Sequence, residues 1–217
     1  VPEDKEIFIL DEPIKRGDLE NMKNAPYPYG FEPTFHRYRL GEPQTWKKPQ
    51  TIFVCSMADL FGRWMPTRWI VEVLDACQAA PQHRYLFLTK NPERYLELCK
   101  VALLPRGENF WYGSTITRPD IPYFIADGYN TFLSIEPLLE PFGANGEGFR
   151  RLGEPRWFIL GAMTGPGSRE HQPSKSWVDE IANAAGGAGA AVFMKDSLLP
   201  IMGEENMRRE FPWEKGA

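Results

Sequence analysis

The apolar residues of this chain gather in short, almost continuous runs, and each run ends abruptly in polar residues. "TIFVCSM" from Thr51, "YLFLT" from Tyr85, "FWYGSTI" from Phe110, "TFLSIE" from Thr131, "RWFILGA" from Arg156 and "AAVFMKD" from Ala190 read as strands. Runs with so few polar positions describe strands covered on their outer face, which indicates a parallel sheet. Between them the period changes from two to that of a helix. "TRWIVEVLDACQAA", after a Pro66–Thr67 start signal, sets Trp69, Ile70, Val73, Leu74 and Cys77 on one helical face. A second helix follows "YLFLT", with Asn91 as its cap, Pro92 at its first position, and Tyr95, Leu98 and Cys99 turned inward. Shorter helices are expected over 121–126 and over 176–185, the latter stopped by Gly186 and Gly187. Strands and helices alternating through right-handed crossovers wind into a barrel or into an open doubly wound sheet.

The first 48 residues have a different character. They are rich in proline and aromatics ("NAPYPYGFEPTFHRYRLGEP") with room for short strands around 7–10 and 35–39, so residues 1–48 form an irregular segment preceding an α/β domain at 49–217. "LLEPFGANGEGFRRLGEP" is too rich in glycine for a long helix and reads as a connection.

Composition narrows the classes. A chain of 217 residues can bury a sizeable core without staples, and its three cysteines form no CxxC pair. A reduced cytoplasm is the expected compartment. No apolar run is long enough to cross a bilayer and no leader opens the chain, so no membrane partner is expected. A net charge of -4 argues against a grip on nucleic-acid phosphate over the whole surface, and the pairs Arg150–Arg151 and Arg208–Arg209 read as solvated surface. The chain opens on Val1 rather than methionine, which suggests a segment removed upstream.

In parallel α/β architectures the carboxyl ends of the strands form the face where ligands bind. The strand ends here supply Cys55, Ser56 and Asp59; Thr89 and Lys90; Ser114 and Thr115; Ser134 and Glu136; Thr164; and Lys195 and Asp196. Lys90 and Glu136 each terminate an apolar strand, where an unpaired charge is costly, so each calls for a charged partner or a ligand. A mutual salt bridge and an amino-acid-like ligand satisfy them equally. Asp59 and Lys195 are similar cases. No P-loop, GxGxxG, HExxH or GxSxG is present. "GPGSREH" is either a phosphate-cradling loop or a tight turn, and His83 reads as a helix C-terminal cap. His36, His83 and His171 lie too far apart in sequence to suggest a zinc site.

The stretches "WKKPQTIFVCSMADLF", "PQHRYLFLTKNPERY", "NFWYGSTI", "FLSIEPLLEP", "WFILGAMTGPGSR" and "VFMKDSL", in this order over 46–198, resemble a family of phage and bacterial proteins of the Gp37/Gp68 type, classed as radical S-adenosylmethionine-like. The resemblance implies a partial (β/α) barrel of about six parallel strands and a distant tie to spore photoproduct lyase. In such enzymes a CxxxCxxC loop after the first strand holds a 4Fe–4S cluster whose open iron site binds S-adenosylmethionine. This chain departs from that pattern: CxxxCxxC is absent, and Cys77 and Cys99 on helices behave as small hydrophobes. A cluster is expected only if an upstream segment supplies it. Met163 stands where relatives often carry glutamate.

The leading expectation is therefore a radical S-adenosylmethionine-like protein of unknown substrate. Its cofactor-binding rim comprises Ser56, Asp59, Lys90, Ser114, Glu136, Thr164 and Lys195, with no residue assigned to catalysis. The alternative is a cluster-free module holding a nucleotide or nucleic acid on the same rim, with Tyr27, Tyr29, Phe31 and Phe35 as exposed stacking residues. A hydrolase using Asp59 and Glu136 is a weaker third, because no further carboxylate or histidine completes its site.

Overall fold

The structure is a computed structural model that describes residues 7–15, 17–18, 27–30, 32–143 and 155–214. Near the N-terminus β1 (Phe8–Leu10) and β2 (Thr34–His36) pair in parallel as a small separate sheet, and a turn of 3-10 helix follows at Arg37–Arg39. α1 (Glu42–Thr45) then leads into the main sheet.

Six strands build that sheet: β3 (Thr51–Phe53), β4 (Arg84–Thr89), β5 (Phe110–Ile116), β6 (Asn130–Ile135), β7 (Trp157–Leu160) and β8 (Ala191–Met194). They lie side by side in chain order and every pair is parallel. A doubly wound sheet reverses its strand order at a switch point, and this one never does. The sheet therefore curls into an all-parallel half-barrel, which resolves the choice left open by the strand pattern.

The alternation of side chains along each strand sorts residues between two faces. Tyr85, Phe87, Phe110 and Tyr112 face outward into one core, and Leu133, Ile135, Phe158, Leu160, Val192 and Met194 into another. The helices cover this outer face. α2 (Thr67–Gln78) buries Trp69, Ile70, Val73, Leu74 and Cys77, the stripe its sequence predicts. A twelve-residue helix is marginal alone in water. Burial of its large apolar side chains, roughly 1.5–3 kcal/mol each, holds it in place. α3 (Glu93–Lys100) contributes Tyr95 and Leu98, and α4 (Lys175–Gly187) contributes Val178, Ile181, Ala182 and Ala185. A short α5 (Leu199–Met202) follows β8.

The inner face carries Leu86, Trp111, Phe132, Trp157 and Ala191, with Phe211 and Trp213 from the C-terminal segment packed on them. Arg84 lies 4.1 Å over the Trp213 ring. The same segment closes one edge of the sheet: the Met194 amide donates to Arg208 O and the Glu210 amide to Val192 O. Arg208 also donates to Ala182 O and to Glu210, while Arg209 pairs with Asp196 and stacks on Phe193. This arginine pair is structural, contrary to its reading as solvated surface. Arg150 and Arg151 lie outside the described residues.

Four further expectations need correction. Residues 121–126 form no helix; the Phe124 amide donates to the buried Ser114 Oγ at 2.9 Å, and the Phe124 ring packs beside Tyr95 and Tyr129. A tertiary anchor overrides a weak local propensity there. Asn91 does not cap α3: its side-chain amide donates to Phe61 O, and the helix starts at Glu93. α4 runs through Gly186 and Gly187, because the next amides, of Ala188 and Gly189, still find Ala184 O and Gly186 O. His83 is buried between two segments rather than capping α2. Its Nδ1 accepts the Gln50 amide at 3.0 Å, which puts the proton on Nε2, 2.8 Å from Pro43 O.

Candidate functional site

At the carboxyl ends of β6, β7 and β8 the inner-face register continues to Glu136, Gly161 and Lys195. The backbone ladder also runs on past the strands: the Gly161 amide donates to Ile135 O and the Lys195 amide to Leu160 O. Lys195 Nζ lies 2.7 Å from Glu136 Oε1 and 2.8 Å from Oε2. To reach it, Glu136 crosses the whole of β7. It can do so because the crossing point is glycine; a Cβ on Gly161 would stand 2.9 Å from both Glu136 Cγ and Oε1.

The pair is accessible, with side-chain exposures of 29% for Glu136 and 46% for Lys195. At that exposure it is worth about 0–1 kcal/mol, so an incoming ion can take either partner at little cost. Lys90 continues the inner register of Leu86 and Leu88 and is exposed, and its ammonium makes no ion pair or hydrogen bond among the described residues. The mutual Lys90–Glu136 salt bridge is therefore not formed; Lys195 takes the carboxylate and leaves Lys90 open. Beneath this rim the half-buried Leu88, Ile159 and Phe193 form an apolar floor, flanked by Thr115 and the buried Ser134.

The remaining predicted residues take other places. Asp59 is an anchor for the loop after β3: its Oδ2 accepts from the Thr89 hydroxyl and the Lys90 amide, both at 2.9 Å, and its Oδ1 from the Phe61 amide at 3.0 Å. Thr89 Oγ1 in turn accepts the Asn91 amide. Ser114 is fully buried on the outer face, and its neighbour Thr115 takes the inner register instead. Ser56 and Thr164 are exposed and make no side-chain hydrogen bond among the described residues. "GPGSREH" forms a tight turn: Gly165 and Gly167 have φ of 91° and 78°, and a 3-10 helix follows at Ser168–His171.

The thiols do not converge. Cys55 lies on the exposed loop after β3, Cys77 is buried on α2 and Cys99 sits on α3. Burial pushes the Cys77 thiol up to about 12. Among the described residues no group of three histidine, cysteine or acidic side chains could hold a metal ion. Of the proposed stacking aromatics, Phe35 is buried against Trp69 at 4.9 Å and Tyr29 stacks on Phe8 at 3.8 Å. Tyr27 remains exposed, and Phe31 lies outside the described residues.

Gly161 and the apolar floor escaped sequence reasoning, which names Thr115 as a strand end but places Ser114 on the rim in its stead. Period-two alternation contained the signal for Thr115, since Trp111 and Thr115 share a face, yet in a strand apolar on both sides it does not say which face is inward. Nothing local marks Gly161 as a crossing point.

The arrangement offers an exchangeable carboxylate–ammonium pair, a second ammonium and an apolar bed, which together suit a small amphiphile bearing both charges. No helix among the described residues is long and apolar enough to cross a membrane. A family model with the description "Protein of unknown function (DUF5131)" matches residues 15–203, a span that includes all six strands of the half-barrel. No curated protein and no solved structure matches the chain.

Proposed function

We propose that the chain, which belongs to the family described as Protein of unknown function (DUF5131), is a radical S-adenosylmethionine-like scaffold that binds S-adenosylmethionine on the inner rim of its half-barrel. The observation that carries this reading is the Glu136–Lys195 pair laid over Gly161, with the open ammonium of Lys90 on the same rim. S-adenosylmethionine brings an α-ammonium, an α-carboxylate and a flat nucleoside. Glu136 is the acceptor for the ammonium, Lys90 and Lys195 are donors for the carboxylate, and the floor of Leu88, Ile159 and Phe193 offers apolar contact to the nucleoside.

The described residues do not fit an iron–sulfur cluster, because Cys55, Cys77 and Cys99 stand on three separate elements. The reading therefore assigns ligand binding to this chain and routes no chemical step through a cluster. Asp59 and Thr89 hold the backbone at Lys90, Ser114 anchors Phe124 on the outer face, and Ser56 and Thr164 are exposed on the loops after β3 and β7. Nucleotide or nucleic-acid binding on this rim has less support, because Phe35 is buried against Trp69 and Tyr29, though 40% exposed, already stacks on Phe8.

Calorimetric titration of S-adenosylmethionine into the wild-type chain, Glu136→Ala and Lys90→Ala tests the reading. Loss of one charge-assisted hydrogen bond weakens binding about tenfold or more in each variant. Absence of binding by the wild-type chain, or unchanged affinity in both variants, overturns it.

A further inference from the structure

At the opposite end of the sheet, "WKKPQTI" forms an open depression of about 560 Å³ lined by Trp46, Lys47, Lys48, Gln50, Thr51 and Ile52. We propose that this depression is a binding site for single-stranded nucleic acid, in which Trp46 stacks on a base and Lys47 and Lys48 engage the adjoining phosphates.

The loop is held in shape before any ligand arrives. His83 bonds to both of its ends, accepting the Gln50 amide at Nδ1 and donating from Nε2 to Pro43 O, so one buried imidazole brackets the segment between them. Gln82 donates to Trp46 O, and the Trp46 amide donates to Pro43 O. The indole meets the His83 ring edge-on at a centroid distance of 5.8 Å and is still 40% exposed. With its backbone fixed by two hydrogen bonds and its ring resting on His83, the exposed indole loses less freedom on stacking than a free side chain would.

The electrostatics favour an anion. Neither Lys47 nor Lys48 makes an ion pair among the described residues, and no acidic side chain lines the depression. Arg84 adds a third cation at its margin, where it donates to Thr51 Oγ1 and lies over Trp213. Gln50 and Val54 direct their backbone groups to β4, so alternation leaves the Thr51 and Phe53 amides on the free edge of β3, which no described strand covers. Backbone amides beside lysines are donors for phosphate oxygens. An open trough, as opposed to a closed pocket, admits a polymer that enters and leaves. The combination of a stacking platform with a short basic track is that of strand-binding grooves, here confined to one patch of a chain whose net charge is -4.

The probe is a fluorescein-labelled oligothymidine of about twelve nucleotides, within the span of single-strand sites, followed by anisotropy over a salt series. Trp46→Ala is expected to weaken binding about five- to a hundredfold, the loss of one stacked base, and Trp46→Phe to restore most of it. Lys47→Ala/Lys48→Ala is expected to lower the slope of log affinity against log salt by about 1.4, at about 0.7 for each phosphate contact. Lys100→Ala, the loss of one lysine charge on α3 against two in the double variant, is expected to leave affinity unchanged. Circular dichroism confirms that each variant is folded. Absence of binding by the wild-type chain overturns the proposal, as does equal weakening by Lys100→Ala. Unlabelled polyphosphate displacing the oligonucleotide from Trp46→Ala and wild type alike overturns the stacking contact. None of these outcomes depends on S-adenosylmethionine binding at the rim.

Discussion

Replacing Gly161 by alanine separates the rim's function from its stability. The new Cβ would stand 2.9 Å from Glu136 Cγ and Oε1 and 3.0 Å from Cδ, where ordinary carbon contacts begin near 3.5 Å. Glu136 must withdraw by roughly half an ångström or turn to another rotamer, and either movement takes its carboxylate off Lys195. The loss in stability is small: a half-exposed pair contributes about 0–1 kcal/mol. Gly161 has no left-handed backbone to strain, so alanine also returns about 0.4–1 kcal/mol by restricting the unfolded chain. The two terms nearly cancel, and Gly161→Ala is expected to unfold in urea within about 1 kcal/mol of wild type.

Gly113→Ala is the comparison, two strands along on the same face. Its Cβ would penetrate the ring of Phe132, which is fully buried and packed on Trp157, so nothing flexible can yield. A loss of about 1–3 kcal/mol or more is expected. For Gly161→Ala the affinity for S-adenosylmethionine is expected to fall as it does in Glu136→Ala. If Gly161→Ala loses as much stability as Gly113→Ala, Glu136 is a rigid part of the core and the argument for an exchangeable pair fails. A double-mutant cycle with Lys195→Ala gives the second check, since coupling to Glu136 unchanged by Gly161→Ala contradicts the crossing geometry.

Asp59→Ala removes three hydrogen bonds around the loop after β3 and leaves the Thr89 hydroxyl without its acceptor, so a loss of about 2–4 kcal/mol is expected in urea unfolding. Unchanged stability would remove Asp59 from its anchoring role. Burial raises the phenols of Tyr85, Tyr95 and Tyr112 and the thiol of Cys77, so the folded chain keeps these protons after the unfolded chain has lost them. Their contribution is intact below about pH 9 and is lost as pH rises, at up to about 1.4 kcal/mol per pH unit for each group. Ultraviolet titration of the eight tyrosines should show these three ionising only with unfolding, and early ionisation of all eight would contradict their burial. Trp213→Ala uncovers Trp111 and Trp157 and removes the ring under Arg84, with an expected loss of about 1–3 kcal/mol, below that of a fully buried tryptophan. Near-ultraviolet circular dichroism and urea midpoints report it, and an unchanged midpoint would show that the C-terminal segment contributes nothing to the inner face.

Both candidate surfaces depend on the same property of a half-barrel. Consecutive parallel order places the connecting helices α2, α3 and α4 outside, so the inner face must be closed by something else, and among the described residues the C-terminal segment packs on part of it. Among the described residues the strand ends above that cover are open at the rim, and no strand pairs with the outer edge of β3 beside the Trp46 loop.

The local pattern determined the elements whose signals are strong and repeated. Six apolar runs became six strands, and the stripe on α2 from Trp69 to Cys77 became its buried face, because hydrophobic periodicity is set by burial along one element at a time. The rim was legible as a set of strand ends, since chain direction in a parallel sheet puts all of them at one end. Which polar residues face the ligand was not legible. Ser114 and Thr115 are adjacent, and only the packing of Trp111 inward and Tyr112 outward assigns them to opposite faces. The partner of Glu136 lies 59 positions away and is reached over a glycine whose importance is the space it leaves, a property of two neighbouring strands that no window of sequence contains. Strand order, face and the partners of charges were decided by tertiary structure, because each is a relation between segments that meet only when the sheet closes.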